Sequence, residues 1–134
     1  MAENPLPFAG EYWVARFHAE INVNAQYALL ARKWEGALNL DIVDAPRCIW
    51  IDVYHGRCHD SEATKSSDDR DAPFVLSAKL AVWKAICGGE LSPVQAMATR
   101  RLKVKGDMMQ VMKFARATLA MVESAKAVPT DWTK

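Results

Sequence analysis

The sequence predicts an α+β fold: a five-stranded, antiparallel-rich sheet covered by four or five helices. Three observations predict it. Apolar residues recur at helical spacing toward both ends of the chain, over residues 10–22 and 108–122. In the middle the period falls to two, with Leu38, Leu40 and Ile42 alternating with Asn39 and Asp41. Turn chemistry then separates the extended runs, at Gly36, Asp44-Ala45-Pro46 and His55-Gly56. Helices that lead and trail a run of strands make layers of the α+β kind.

Each element follows in order. Residues 1–9 contain Pro5 and Pro7 and read as an irregular lead-in. Tyr12, Trp13, Phe17 and Ile21 then share one helical face, leaving Glu11, Arg16, His18 and Glu20 for water. Asn24 caps a second helix that places Tyr27, Leu30, Ala31 and Trp34 on one side, and Gly36 ends it. Residues 38–42 form a half-buried strand. Residues 48–54, Cys-Ile-Trp-Ile-Asp-Val-Tyr, are β-branched and aromatic and form a second. His55-Gly56 suits a two-residue hairpin, because Gly56 tolerates φ > 0. The returning strand, residues 57–63, has weak strand propensity and is expected to be exposed or at an edge. A polar loop over 65–71 precedes a short strand with Pro73 at its first position, where a missing N–H is harmless.

Leu80, Trp83 and Ile86 or Cys87 mark a helix stopped by Gly88-Gly89. Ser92-Pro93 opens a short helix to residue 98. Leu102 and Val104 alternate with Lys103 and Lys105 in a last strand, and Asp107 caps the final helix. That helix is apolar over an unusually wide arc, which includes Met108, Met109, Val111, Met112, Phe114, Leu119 and Met121. A surface helix needs an apolar stripe little wider than about 100°. Its four methionines suit an adaptable apolar contact beyond a single sheet face.

Composition excludes several classes. With 134 residues the chain reads as one domain, residues 1–134, with 126–134 as a tail. Seventeen basic and sixteen acidic residues give a net charge of +1, without the basic excess of a nucleic-acid binder. No apolar run approaches the 18 or more residues of a membrane span, and the first residues lack a secretory pattern. Cys48, Cys58 and Cys87 are odd in number and show no metal-type spacing, so the chain reads as cytoplasmic with reduced thiols.

Chemistry is sparse. His55, Cys58 and His59 cluster in sequence. On a strand, however, the two histidines share one face and Cys58 takes the other, so no metal site is expected. No Gly-x-Ser-x-Gly elbow and no Gly-rich phosphate loop occurs. His18 lies on the polar side of a surface helix, and Asp68-Asp69 are adjacent and diverge. No catalytic residue, metal or cofactor is assigned.

The order of these segments carries a resemblance. Trp34-Glu35-Gly36-Ala37-Leu38, Phe74-Val75-Leu76-Ser77, Trp83 with Gly89, and Leu102-Lys103-Val104-Lys105-Gly106-Asp107 together span nearly the whole chain. In this order and spacing they resemble the sterol carrier protein type-2 family of lipid-binding domains, in its small stand-alone microbial form. The chain departs from that family at Met97-Ala98-Thr99-Arg100-Arg101, where many members carry a small Ser-Gly-Lys-type turn.

The resemblance implies an apolar cavity between sheet and helices that binds and transfers a fatty acid, fatty acyl-CoA, phospholipid or sterol-like lipid without chemistry. It brings no catalytic residues. Trp50, Phe74, Leu76, Trp83, Met97, Leu102, Val104, Met108, Met109, Met112, Ala115 and Leu119 are the side chains expected to face that cavity. The expected partner is an apolar lipid, with no nucleic acid and no integral membrane insertion. A transient membrane-surface contact and a homodimer stay open. The competing reading is a protein-interaction module or an accessory subunit of a lipid-metabolising enzyme, with Trp13, Phe17 and Trp132 as its contacts.

Overall fold

A computed structural model describes residues 4–133; Met1, Ala2 and Glu3 of the lead-in and Lys134 of the tail lie outside them. In chain order the elements begin β1 (Leu6–Pro7), α1 (Glu11–Asn22), α2 (Ala25–Leu30), β2 (Leu38–Ile42), β3 (Arg47–Tyr54) and β4 (Arg57–Thr64). They continue with β5 (Phe74–Ala78), α3 (Leu80–Cys87), α4 (Pro93–Ala98) and β6 (Lys103–Lys105). Last come α5 (Met108–Lys113), α6 (Ala115–Lys126) and β7 (Thr130–Asp131).

The main sheet has five strands in the order β4-β3-β2-β5-β6. All neighbours are antiparallel except β2 and β5, which run parallel with Leu38 opposite Phe74 and Leu40 opposite Leu76. The weak strand β4 is indeed an edge. Its hairpin with β3 is closed by His55 (φ 51) and Gly56 (φ 83), both left-handed, as a two-residue primed turn requires. At Gly56 a Cβ would lie 2.4 Å from the carbonyl oxygen of Ala28, so glycine is also needed for α2 to approach.

The two sheet faces are covered differently. Ile49, Ile51 and Val53 point to the helices and are fully buried there. The opposite face carries Asn39, Cys48, Trp50 and Thr64, and the loop from β4 to β5 crosses it. Asn39 Nδ2 donates to Arg70 O at 2.8 Å, Trp50 Nε1 donates to Asp71 O at 3.1 Å, and the Arg70 guanidinium stacks 3.8 Å above the Trp50 ring. The polar loop thus satisfies the one fully buried amide side chain and shields the tryptophan.

Three secondary-structure elements differ from the sequence reading. The helix begun at Asn24 stops at Leu30 rather than reaching Trp34, because Trp34 turns its ring inward between Phe74 and Phe114, 4.8 and 5.1 Å away. The final helix is two helices, which raises the count to six. Phe114 between them takes φ −104, ψ 26, and Asp107 caps the first by accepting from Met109 N at 3.0 Å. Lastly, the lead-in and tail are not wholly irregular. Leu6 and Pro7 pair in parallel with Thr130 and Asp131, and Trp132 packs on Phe8 with ring centroids 4.3 Å apart.

Trp13 and Phe17, expected as partner contacts, are buried by this closure and by the helical layer. Asn24 ties that layer together, donating to Ala120 O and Ser124 Oγ on α6 at 2.8 and 2.9 Å.

Candidate functional site

Between the helix-covered face of the sheet and the helices lies an apolar cavity of about 90 Å³. Each wall follows from a periodicity. The sheet contributes Leu38, Leu40, Ile49 and Leu76, the inward residues of β2, β3 and β5. Helix α1 contributes Trp13 and Phe17, and α2 contributes Tyr27, with Ala31 and Trp34 just beyond its end. Trp83, Ile86 and Cys87 come from α3, and Pro93 and Leu102 close the side near α4 and β6. The roof is Val111 of α5, Phe114 at the break, and Ala117, Thr118, Met121, Val122 and Ala125 of α6.

Three of the five tryptophans line this space, and none offers it a polar atom. Trp13 Nε1 donates to Thr130 Oγ1 at 2.8 Å, Trp34 Nε1 to Gly36 O at 2.8 Å, and Trp83 Nε1 to Asp41 O at 3.0 Å. The Thr118 hydroxyl donates to Phe114 O at 3.2 Å. Burial raises the Tyr27 phenol well above its usual range, with a smaller contribution from Cys58, so it remains a neutral hydroxyl. No lining residue is charged.

The thiols are inert for the same reason. Burial pushes Cys58 and Cys87 up to about 12 and Cys48 up to about 11. None is a thiolate at neutral pH. Because each folded thiol titrates above its unfolded value of 9.0, the unfolded chain loses these protons first. The thiols' contribution to stability should therefore be constant below about pH 9 and fall as the pH rises toward about 12, by up to about 1.4 kcal/mol per pH unit per thiol. Denaturant titrations across that window check this, and a Cys87→Ala variant should lose its share of the slope. A stability indifferent to pH there would contradict the burial of the thiols.

The side chains expected at the cavity divide. Leu76, Trp83 and Leu102 line it. Trp50 lies on the opposite sheet face, because it shares the parity of Cys48 and not of Ile49. Phe74 is buried beside Trp34 at the end of the cavity, outside its lining. Met97 and Val104 are partly buried against the core on α4 and β6. Met108, Met109, Met112 and Leu119 face outward and are exposed, and Ala115 sits at the helix break. The break at Phe114 is the physical reason. One continuous helix would spread its wide apolar arc around the core, whereas the short α5 turns only Val111 inward and leaves its methionines outside.

Trp13, Phe17, Tyr27, Trp34 and Phe114 line the cavity without having been assigned to it. The inward spacing of Trp13, Phe17, Tyr27 and Trp34 toward the chain's start was legible as core. That this core encloses space was not.

The hairpin shows no converging chemistry. His55 lies 3.6 Å from Glu35 and is half exposed, His59 Nε2 is 3.2 Å from Tyr54 O, and Cys58 turns into the core. His18 Nδ1 meets Ser61 Oγ at 2.7 Å on the far side of α1. Among the described residues no three His, Cys, Asp or Glu side chains are placed to share a metal ion, and no helix is long and apolar enough to cross a membrane.

A five-stranded sheet with helices on one face and an uncharged apolar chamber between them defines a class, the helix-covered α+β domain with an internal apolar space. The chain belongs to the SCP-2 sterol transfer family, whose family model matches residues 17–118. That membership implies lipid binding or transfer in general, on a fold that is generally non-catalytic.

Solved structures agree. A crystal structure of sterol carrier protein 2 is 27% identical, with a TM-score of 0.84, covering 90% of this chain and 98% of that one. A solution structure from Thermus thermophilus, of a conserved hypothetical protein described as possibly a sterol carrier protein, is 25% identical with a TM-score of 0.84. It covers 96% of this chain and 94% of its own. The apo form of sterol carrier protein 2 from Yarrowia lipolytica is 20% identical with a TM-score of 0.54, covering 85% and 89%, and shares the fold. A comparison with curated proteins found no significant match.

Proposed function

We propose that the protein binds an apolar lipid, with its hydrocarbon in the chamber between sheet and helices, and carries it without chemical change. The ligand class is a fatty acid, a fatty acyl-CoA, a phospholipid or a sterol-like molecule. The observation that carries this reading is the chamber wall. Three tryptophan rings line it while every indole N–H is satisfied by protein. Such a wall rewards hydrocarbon and holds no charged partner for a polar headgroup, so the headgroup stays toward solvent. Burial supplies the affinity. About 300 Å² of chain removed from water is worth about 7–8 kcal/mol, near the micromolar range before ordering costs.

The chamber must widen to do this. Its volume of about 90 Å³ is below the ~300–1,000 Å³ of ligand pockets. The non-helical residue Phe114, between α5 and α6, is the joint at which the roof can lift. Uptake of a fluorescent fatty acid in solution tests the proposal. Binding should saturate at one site and change little with salt, because the chamber holds no charge. Absence of saturable binding across apolar ligands would remove the proposal.

A further inference from the structure

Tyr27 stands apart from the other polar side chains of the chamber wall. The residue is only 2% exposed, and it lines the chamber from α2. Its backbone N–H is satisfied by Asn24 Oδ1 at 3.0 Å, but no hydrogen-bond partner meets its hydroxyl among the described residues. Among those residues, every buried side-chain nitrogen or oxygen sealed from open space has a partner. The unpaired Tyr27 oxygen therefore borders open space, and for a residue so nearly closed to solvent that space is the chamber it lines.

The neighbouring donors are spent. The three indoles and the Thr118 hydroxyl each give their proton to an oxygen of the protein. Cys58, whose charge the phenol would feel, turns its thiol to Asp60 O at 3.3 Å. Cys87 brings only a weak S–H donor to the wall. A phenylalanine at position 27 would fill the same volume without the cost of a buried hydroxyl that lacks a partner. The tyrosine is suited to a partner that the chain itself does not supply.

We propose that Tyr27 is the hydrogen-bonding anchor of the chamber, selecting a lipid whose buried hydrocarbon carries a neutral oxygen, as a hydroxyl or keto group. This rests on the chamber reading and names the ligand class within it. An ionised group is unsuited to the interior, because no lining side chain is charged. A neutral oxygen is suited, because one bond to the phenol replaces the bond it leaves in water. The phenol both donates and accepts, so it matches either a hydroxyl or a keto oxygen.

Competition against a fluorescent fatty acid tests this, using octadecanoic acid and hydroxyoctadecanoic acids with the hydroxyl moved along the chain. In wild-type protein at least one positional isomer should bind as tightly as octadecanoic acid or more tightly. Tyr27→Phe should weaken that isomer about ten-fold and leave octadecanoic acid unchanged or tighter. A sterol and its hydroxyl-free counterpart form a second pair, and the pair with the Tyr27-dependent difference tells a hydroxylated chain from a sterol. Without ligand, the thermal midpoint of Tyr27→Phe should equal or exceed that of wild type, since the hydroxyl has no bond to lose.

Discrimination that is the same in wild type and Tyr27→Phe for both pairs would overturn the proposal. So would a lowered midpoint in the variant, which would reveal a partner for the hydroxyl within the protein. Wild-type protein that binds octadecanoic acid but ignores the hydroxyl keeps the chamber reading and loses this one. Failure to take up any of these ligands removes both.

Discussion

Ala117→Phe is expected to leave the protein folded and to reduce fatty-acid uptake at least about 100-fold, a loss of about 2.7 kcal/mol or more. Ala117 lies on the inner side of α6, buried and lining the chamber. A phenyl ring grown from it enters the same space the hydrocarbon needs. Overpacking a filled core costs about 1–3 kcal/mol, but here a void is present to receive the ring, and filling it recovers contacts. The thermal midpoint should therefore change little or rise while binding is lost. Titration with the fluorescent ligand and a melt of the same sample decide it. A folded Ala117→Phe protein with normal uptake would place the ligand elsewhere.

Gly106→Val is the second large effect, and it acts on stability. Gly106 joins β6 to the cap of α5 at φ 128, a conformation L side chains rarely adopt. A Cβ there would lie 2.6 Å from the carbonyl oxygen of Pro73 and 2.9 Å from the Phe74 ring. The backbone oxygen cannot turn aside as a flexible side chain could, and Phe74 is held against Trp34 at the end of the chamber. Strain and clash together should cost at least about 3 kcal/mol. Asp107→Ala, one residue on, loses only a cap and should cost about 1 kcal/mol. Denaturant unfolding of the pair checks the ranking. Comparable losses would mean that the corner relaxes around a side chain.

How much of this was legible in the sequence depends on the kind of signal. Strand β2 appears at the residues its alternation marks, and the His55-Gly56 hairpin, the Ser92 and Asp107 caps and the edge position of β4 follow from local chemistry. Local rules cannot fix which face of a strand a large side chain serves. Trp50 reads as cavity material by size, but strand parity sends it to the face the 65–73 loop covers.

The methionine helix misled in a related way. Hydrophobicity alone does not separate inward from outward once the helix breaks, and nothing in Lys113-Phe114-Ala115 announces a break as a proline or glycine would. Trp13 and Trp34 show the converse. Their burial was readable from spacing, but the space beside them is a product of tertiary packing and has no signature in sequence.

Lipid carriage in the chamber requires that hydrocarbon lie against the rings of Trp13, Trp34 and Trp83. A fatty acid brominated along its chain quenches indole fluorescence on contact, so titrating it into the protein tests that requirement most directly. Quenching should saturate together with binding and leave the emission of Trp50, on the far side of the sheet, untouched. It should shrink stepwise in Trp34→Phe and Trp83→Phe and vanish in Ala117→Phe. Tight binding of the brominated chain without quenching, or quenching that persists unchanged in Ala117→Phe, would contradict it.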